Sequence, residues 1–145
     1  MIRKIDHIGI AVADAAAALK VFRDALGLEL VGTEPVPSQK LVSYHLRVGE
    51  SNLELLVPSD PESVIARFLE KRGPGIHHIA LAVEDIAAEV ERMKAAGLQP
   101  LAEKPSLGAG GKQVLFFHPQ TTGGVLLELC QGSDGAEDGR SGPPA

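Results

Sequence analysis

Cysteine is nearly absent from this chain: Cys130 stands alone in 145 residues. No internal disulfide can form, and a reducing, cytoplasmic setting is expected. Cys130 itself lies in the apolar run VLLELC, which suggests an inert, packed thiol. No basic run offsets the net charge of −5, which argues against a nucleic-acid surface. No apolar stretch approaches the ~20 residues that cross a bilayer, and MIRKIDHIGI lacks the apolar segment and cleavage site of a signal peptide, so neither membrane nor export is expected. The remaining balance, 44% hydrophobic against 23% charged, is that of a soluble globular protein. The length suits one domain, or two half-domains sharing one core.

What is present is a repetition. His7-Ile8-Gly9-Ile10-Ala11-Val12 and His78-Ile79-Ala80-Leu81-Ala82-Val83 align position for position. Each run is followed by an Asp able to cap a helix (Asp14, Asp85), an Ala-rich helical segment, and a glycine stop (Gly27, Gly97). The offset is 71 residues for the His and Asp pairs and 70 for the glycines, which marks an internal repeat. Beyond the glycines the period becomes strand-like. Strands are predicted near 28–34, 40–48 and 51–57, then near 98–103, 112–118 and 124–130. A helix in PESVIARFLEKRG, about 61–72, joins the halves, with Pro61 in its first turn and Gly73 at its end. The expected fold is α+β: two tandem βαβββ modules, about 1–58 and 74–131, forming a curved eight-stranded sheet around a cleft, with helices outside. Together they make one domain, 1–131; the Gly, Ser, Asp and Pro tail at 132–145 is expected to be disordered.

A second coincidence lies on the last strand of each half. Glu54 sits in NLELLVP and Glu128 in VLLELCQ, each flanked by leucines. A carboxylate in an apolar strand either faces water or faces a cleft, where it needs a neutralising partner such as a metal ion. Because matched histidines accompany matched glutamates, His7, Glu54, His78 and Glu128 are predicted to share one divalent ion. Two imidazoles and two carboxylates suit Co²⁺, Mn²⁺, Ni²⁺, Fe²⁺ or Zn²⁺ better than Mg²⁺ or Ca²⁺.

The segments IDHIGIAV, LELLVPSDPESVIARFLEKRGPGIHHIALAV and GAGGKQVLFFHPQTTGGVLLELCQ resemble the vicinal oxygen chelate (glyoxalase/bleomycin resistance) superfamily. Within it they are similar to the methylmalonyl-CoA epimerases over residues 3–131. The resemblance implies the same four metal positions, with Co²⁺ favoured and Mn²⁺, Ni²⁺ or Zn²⁺ also suitable, an acyl-CoA substrate, and a homodimer. It implies epimerisation of (2R)/(2S)-methylmalonyl-CoA by proton transfer at C2 through a metal-stabilised enolate. Two acid/base groups should flank that carbon. Glu128 is the first, doubling as a ligand. The second belongs on KLVSYHL, where some members carry Glu; the aligned position here is near Ser43, and His45, two residues on, shares its face. Unperturbed imidazoles titrate near ~6.5, so His45 can serve, and Glu54 is a further candidate if it faces the opposite side of the substrate. Gln120 stands where relatives commonly have Lys. His77 is expected on the opposite strand face from His78, and neither His77 nor His118 is given a catalytic part. LGAGG lacks the Walker pattern and is expected to be a mobile loop over the cleft. Other readings are a glyoxalase I-type isomerase of a glutathione thiohemiacetal, an Fe²⁺ ring-cleaving dioxygenase, which the fourth ligand opposes, and a drug-binding module of the same fold.

Overall fold

The computed structural model describes residues 1–132, so the tail expected at 132–145 lies, beyond Gly132, outside the described residues. The chain runs β1 (Ile2–Ala11), α1 (Ala15–Leu19, continued as a π-helical segment Lys20–Ala25), β2 (Glu29–Val36), β3 (Leu41–Val48) and β4 (Ser51–Pro58). After α2 (Val64–Arg72) come β5 (Gly75–Val83), α3 (Ile86–Ala95), β6 (Ser106–Leu107), β7 (Gln113–Phe117) and β8 (Leu127–Gln131). The two aspartates cap their helices alike: Asp14 accepts from the Ala17 N–H and Asp85 from the Ala88 N–H, each at 3.2 Å.

Three boundaries depart from expectation. The linking helix begins at Val64, because Ser63 caps it by accepting from the Ile65 N–H; Pro61 lies in the turn before it, which Asp60 closes onto the Glu62 N–H. The strand predicted at 98–103 is not a strand. Pro100 makes only an isolated bridge to Phe117, and with no N–H it cannot extend a ladder. The partner of β7 is instead the two-residue β6. The last strand starts at Leu127, not 124, after the 3₁₀ turn Pro119–Thr121 and Gly123–Gly124.

All eight strands form one curled sheet in the order β2-β3-β4-β1-β5-β8-β7-β6. The order is symmetric about the antiparallel β1/β5 pair, and each central strand is parallel to the last strand of its own half. Leu19 of α1 packs on Leu46 and Leu55, and Ile86, Val90 and Met93 of α3 pack on Leu115, Phe117 and Leu129, covering the outer face. Ile65 of α2 packs on Ala11 and Leu56. By strand alternation these lie in the rows of His7 and Glu54, so α2 closes one end of the inner face. Among the described residues no helix is long and apolar enough to cross a membrane.

The β1/β5 ladder is interrupted three times, once at Arg3 near its end and once beside each histidine. Ile5 pairs with Leu81 and His7 with Ala80, leaving Asp6 extra on β1; Gly9 pairs with His78 and Ile10 with Ile76, leaving His77 extra on β5. A bulge breaks alternation and lets two successive side chains point to one side.

Candidate metal and proton-transfer site

The register of the repeat places the four predicted residues. Gly9, two residues past His7, pairs with Glu54. Ala80, two past His78, pairs with Glu128. The two His/Glu pairs are therefore equivalent in backbone position, although their sequence separations differ by three residues. All four side chains are buried.

Three donor atoms converge. His7 Nε2 and His78 Nε2 are 3.1 Å apart, and Glu128 Oε1 lies 3.3 Å from the first and 3.0 Å from the second. Adjacent donors on an octahedral ion with bonds of about 2.1 Å stand about 3.0 Å apart, so these three fit one divalent cation. Glu54 does not meet them. Its Oε2 lies 3.4 Å from His7 Nδ1, on the other edge of that ring, and Ser43 Oγ donates weakly to its Oε1 at 3.5 Å. The backbone equivalence with Glu128 is complete; the side chain has turned the other way.

Electrostatics follow from this crowding. Burial opposes charge on Glu128, but hydrogen bonds from His7 and His78 outweigh it and bring the carboxyl down to about 2. Burial also opposes the His7 cation, and the charge of Glu54 with bonds to Asp6 and Glu128 overrides it, holding the ring well above its ordinary value.

His45 pairs with Glu54 across β3/β4, so it faces the same side, its Nδ1 3.7 Å from Glu54 Oε2. It is 3% exposed, and neither ring nitrogen has a hydrogen-bond partner. At the equivalent place in the second half Phe116 pairs with Glu128 and sets its ring edge-on to His78. The cleft therefore has an imidazole on one flank and an apolar ring on the other. Ser43 lies on the same face as His45 and is 1% exposed. Cys130 is buried beside Glu128's row, and burial pushes its thiol well up, as an inert thiol requires.

Three contacts were not legible as strands in alternation. Asp6 Oδ2 meets His7 Nδ1 at 2.8 Å, His77 Nδ1 meets His78 Nδ1 at 2.9 Å, and Lys112 Nζ donates to both Asp6 oxygens. The expectation that His77 faces away from His78 is corrected by the bulge at His77. The only signal available in sequence was a polar residue immediately before each histidine. The Gly-rich loop is docked: the Gly110 N–H donates to both Glu34 carboxylate oxygens at 3.0 Å. His118 caps the turn after it by accepting from the Gln120 N–H.

Residues 6–116 match the family model described as Glyoxalase/Bleomycin resistance protein/Dioxygenase superfamily. The chain is 41% identical over 133 residues to the ethylmalonyl-CoA/methylmalonyl-CoA epimerase of Cereibacter sphaeroides, covering 90% of this chain and 99% of that one. The chain belongs to the methylmalonyl-CoA epimerase family. Its fold matches the crystal structure of the family member from Mycobacterium tuberculosis with a TM-score of 0.86 at 38% identity, over 90% of this chain and 89% of that one. A further methylmalonyl-CoA epimerase, in complex with methylmalonyl-CoA and NH4+, matches with a TM-score of 0.87 at 33% identity, over 92% and 96%. Among the described residues those that could hold an ion form two groups sharing His7, one with His78 and Glu128 from β5 and β8 and one with Asp6 and Glu54 from β1 and β4, and β3 supplies the imidazole beside them.

Proposed function

We propose that the chain interconverts (2R)- and (2S)-methylmalonyl-CoA by moving a proton at C2. The observation that carries this reading is the convergence of His7 Nε2, His78 Nε2 and Glu128 Oε1 at mutual distances of 3.0–3.3 Å in a cleft that His45 also lines. Family membership and the substrate named in the relatives support it. His7, His78 and Glu128 would hold a divalent ion, and Glu54, equivalent to Glu128 in backbone position, would join as fourth ligand only by turning its side chain from His7 Nδ1 toward the Nε2 edge. Co²⁺ is the ion that the family resemblance favours, and the donor set suits Mn²⁺, Ni²⁺ and Zn²⁺ as well. When bound, the ion supplies positive charge beside the thioester oxygen as the C2 proton leaves, and this lowers the carbon acid's pKa into the range of a side-chain base.

Inversion needs one proton group on each face of C2. Glu128 is one, a buried carboxylate within the donor cluster. His45 is the other, because its two ring nitrogens are unpartnered and Phe116 denies the opposite flank any equivalent group. Ser43 positions Glu54 through its hydroxyl. Burial of all four carboxylate and imidazole ligands excludes water from the proton being moved. Work in the cytoplasm as a homodimer rests on the lone cysteine and the family resemblance, and light scattering tests the dimer.

Deuterium incorporation into methylmalonyl-CoA in D₂O tests the whole scheme. Exchange is expected with Co²⁺ added, strongly reduced without it, and abolished by Glu128→Gln. His45→Gln is expected to block exchange from one epimer more than from the other. Absence of exchange in the Co²⁺-loaded protein, or turnover of the methylglyoxal–glutathione adduct in its place, would refute the epimerase reading.

A further inference from the structure

Two of the irregularities in the β1/β5 ladder put a polar residue behind one histidine of the trio, and the proton-transfer scheme uses neither. On a regular strand the residue before a ligand faces the other side of the sheet. Here Asp6 and His77 are the extra residues of two bulges, one in each half of the repeat, and both reach a ring Nδ1, at 2.8 and 2.9 Å. Asp6 is clamped in turn by Lys112, whose Nζ donates to Oδ1 at 2.8 Å and Oδ2 at 3.0 Å. Lys112 comes from the other half of the chain, at the end of the loop whose Gly110 N–H is held by Glu34.

The clamp has a purpose because the His7 ring borders two donor clusters. Its Nε2 edge faces His78 and Glu128; its Nδ1 edge faces Asp6 and Glu54. Either cluster has the chemistry to take a cation. A neutral imidazole with its hydrogen on Nδ1 has a lone pair only at Nε2, and outer partners commonly fix this choice in metal sites. We propose that Asp6 and His77 are positioning residues that occupy the Nδ1 edges of His7 and His78 and leave both Nε2 atoms for one ion. In the same device the Lys112 ammonium, seated on both Asp6 oxygens, takes the place of a cation on the Nδ1 side and closes the Asp6–His7–Glu54 cluster. The inference rests on the metal reading above, since it concerns which edge of each ring is offered.

Zn²⁺, which is diamagnetic, is the probe, measured on the full chain by titration calorimetry and by long-range ¹H–¹⁵N spectra of the imidazoles. The unmutated protein is expected to bind one Zn²⁺ per chain, with Nδ1 protonated and Nε2 coordinated on both His7 and His78. Asp6→Ala and His77→Phe should each weaken Zn²⁺ binding about 10–100-fold. Asp6→Asn, which keeps an acceptor oxygen, should recover most of the loss. Lys112→Met should produce a Nδ1-coordinated population of His7, and Lys112→Arg should not. If Lys112→Met fails to fold, the contrast between Asp6→Ala and Asp6→Asn, together with His77→Phe, decides the matter. No Zn²⁺ uptake by the unmutated protein overturns the metal reading and this inference with it. Uptake there, with affinity changed less than threefold and an unaltered Nε2 pattern in Asp6→Ala and His77→Phe, overturns this inference alone.

Discussion

Gly9→Ala is the smallest change that should dismantle the site. Gly9 pairs with His78 across β1/β5, and the His78 ring leans over it: a Cβ built there would meet Cε1 at 2.3 Å, Nδ1 at 2.6 Å and Nε2 at 2.9 Å. Carbon atoms pack at about 3.5 Å or more, so the ring must withdraw by about 1.2 Å. Withdrawal breaks the 3.1 and 3.0 Å separations that bring His78 to His7 and Glu128. Backbone conformation is not the reason for glycine, since Gly9 is absent from the positive-φ residues. Overpacking of this kind costs about 1–3 kcal/mol, offset by about 0.5–1 kcal/mol because alanine loses less entropy than glycine in a strand. A net stability loss of about 0–2.5 kcal/mol is therefore expected, alongside a loss of Co²⁺ affinity of more than tenfold, or about 1.4 kcal/mol. Ala80, at the equivalent position of the second half, pairs with His7 and keeps its methyl at 0% exposure, so the requirement at Gly9 comes from where the His78 ring lies and not from the strand. Titration calorimetry with Co²⁺ and a thermal melt, run on both proteins, provide the check. An unchanged melt with Co²⁺ affinity within twofold of the parent would refute the packing argument.

Metal-free protein should show a two-sided pH dependence. The raised His7 pKa contributes stability that is fully present below about 6.5 and lost as pH rises through the folded value; the lowered Glu128 pKa contributes stability present above about 4.5 and lost as pH falls toward about 2. Melting temperature without metal should thus be highest near pH 5–6 and fall as pH rises above about 6.5, with Co²⁺ removing the alkaline decline; a flat profile would contradict the charge assignments. Cys130, buried and with its thiol raised by burial, should resist a disulfide-exchange reagent at pH 8 in the native state and react at once in guanidinium; rapid native labelling would show the site to be open. Phe117→Ala removes a side chain with 0% exposure from the core under α3 and should cost about 3–5 kcal/mol by urea denaturation, with a loss below 1 kcal/mol counting against that core.

Much of this was legible along the chain because repetition is a strong signal. The shared apolar run after His7 and His78, the capping Asp14 and Asp85, and the centred Glu54 and Glu128 each depend on local periodicity, which a duplicated unit prints twice. Where local rules met local exceptions they failed: Ser63 out-competed Pro61 as the helix start, and Pro100 prevented the strand that the apolar pattern of 98–103 suggested.

The sequence by itself determined the half-modules, their pairing into one sheet and the four residues that pairing brings to its inner face, since strand alternation and equal spacing allow few alternatives. The tertiary structure alone decided how those side chains meet. A bulge has no periodic signature, so nothing in sequence announced that Asp6 and His77 would turn onto the histidine rings. Nor could spacing foretell that Lys112, 106 residues from Asp6, would cross between halves to hold it, or that Glu54 would turn to the far edge of His7 while its equivalent Glu128 faces both Nε2 atoms. Alternation specifies a face; only packed neighbours and their charges specify a direction within it.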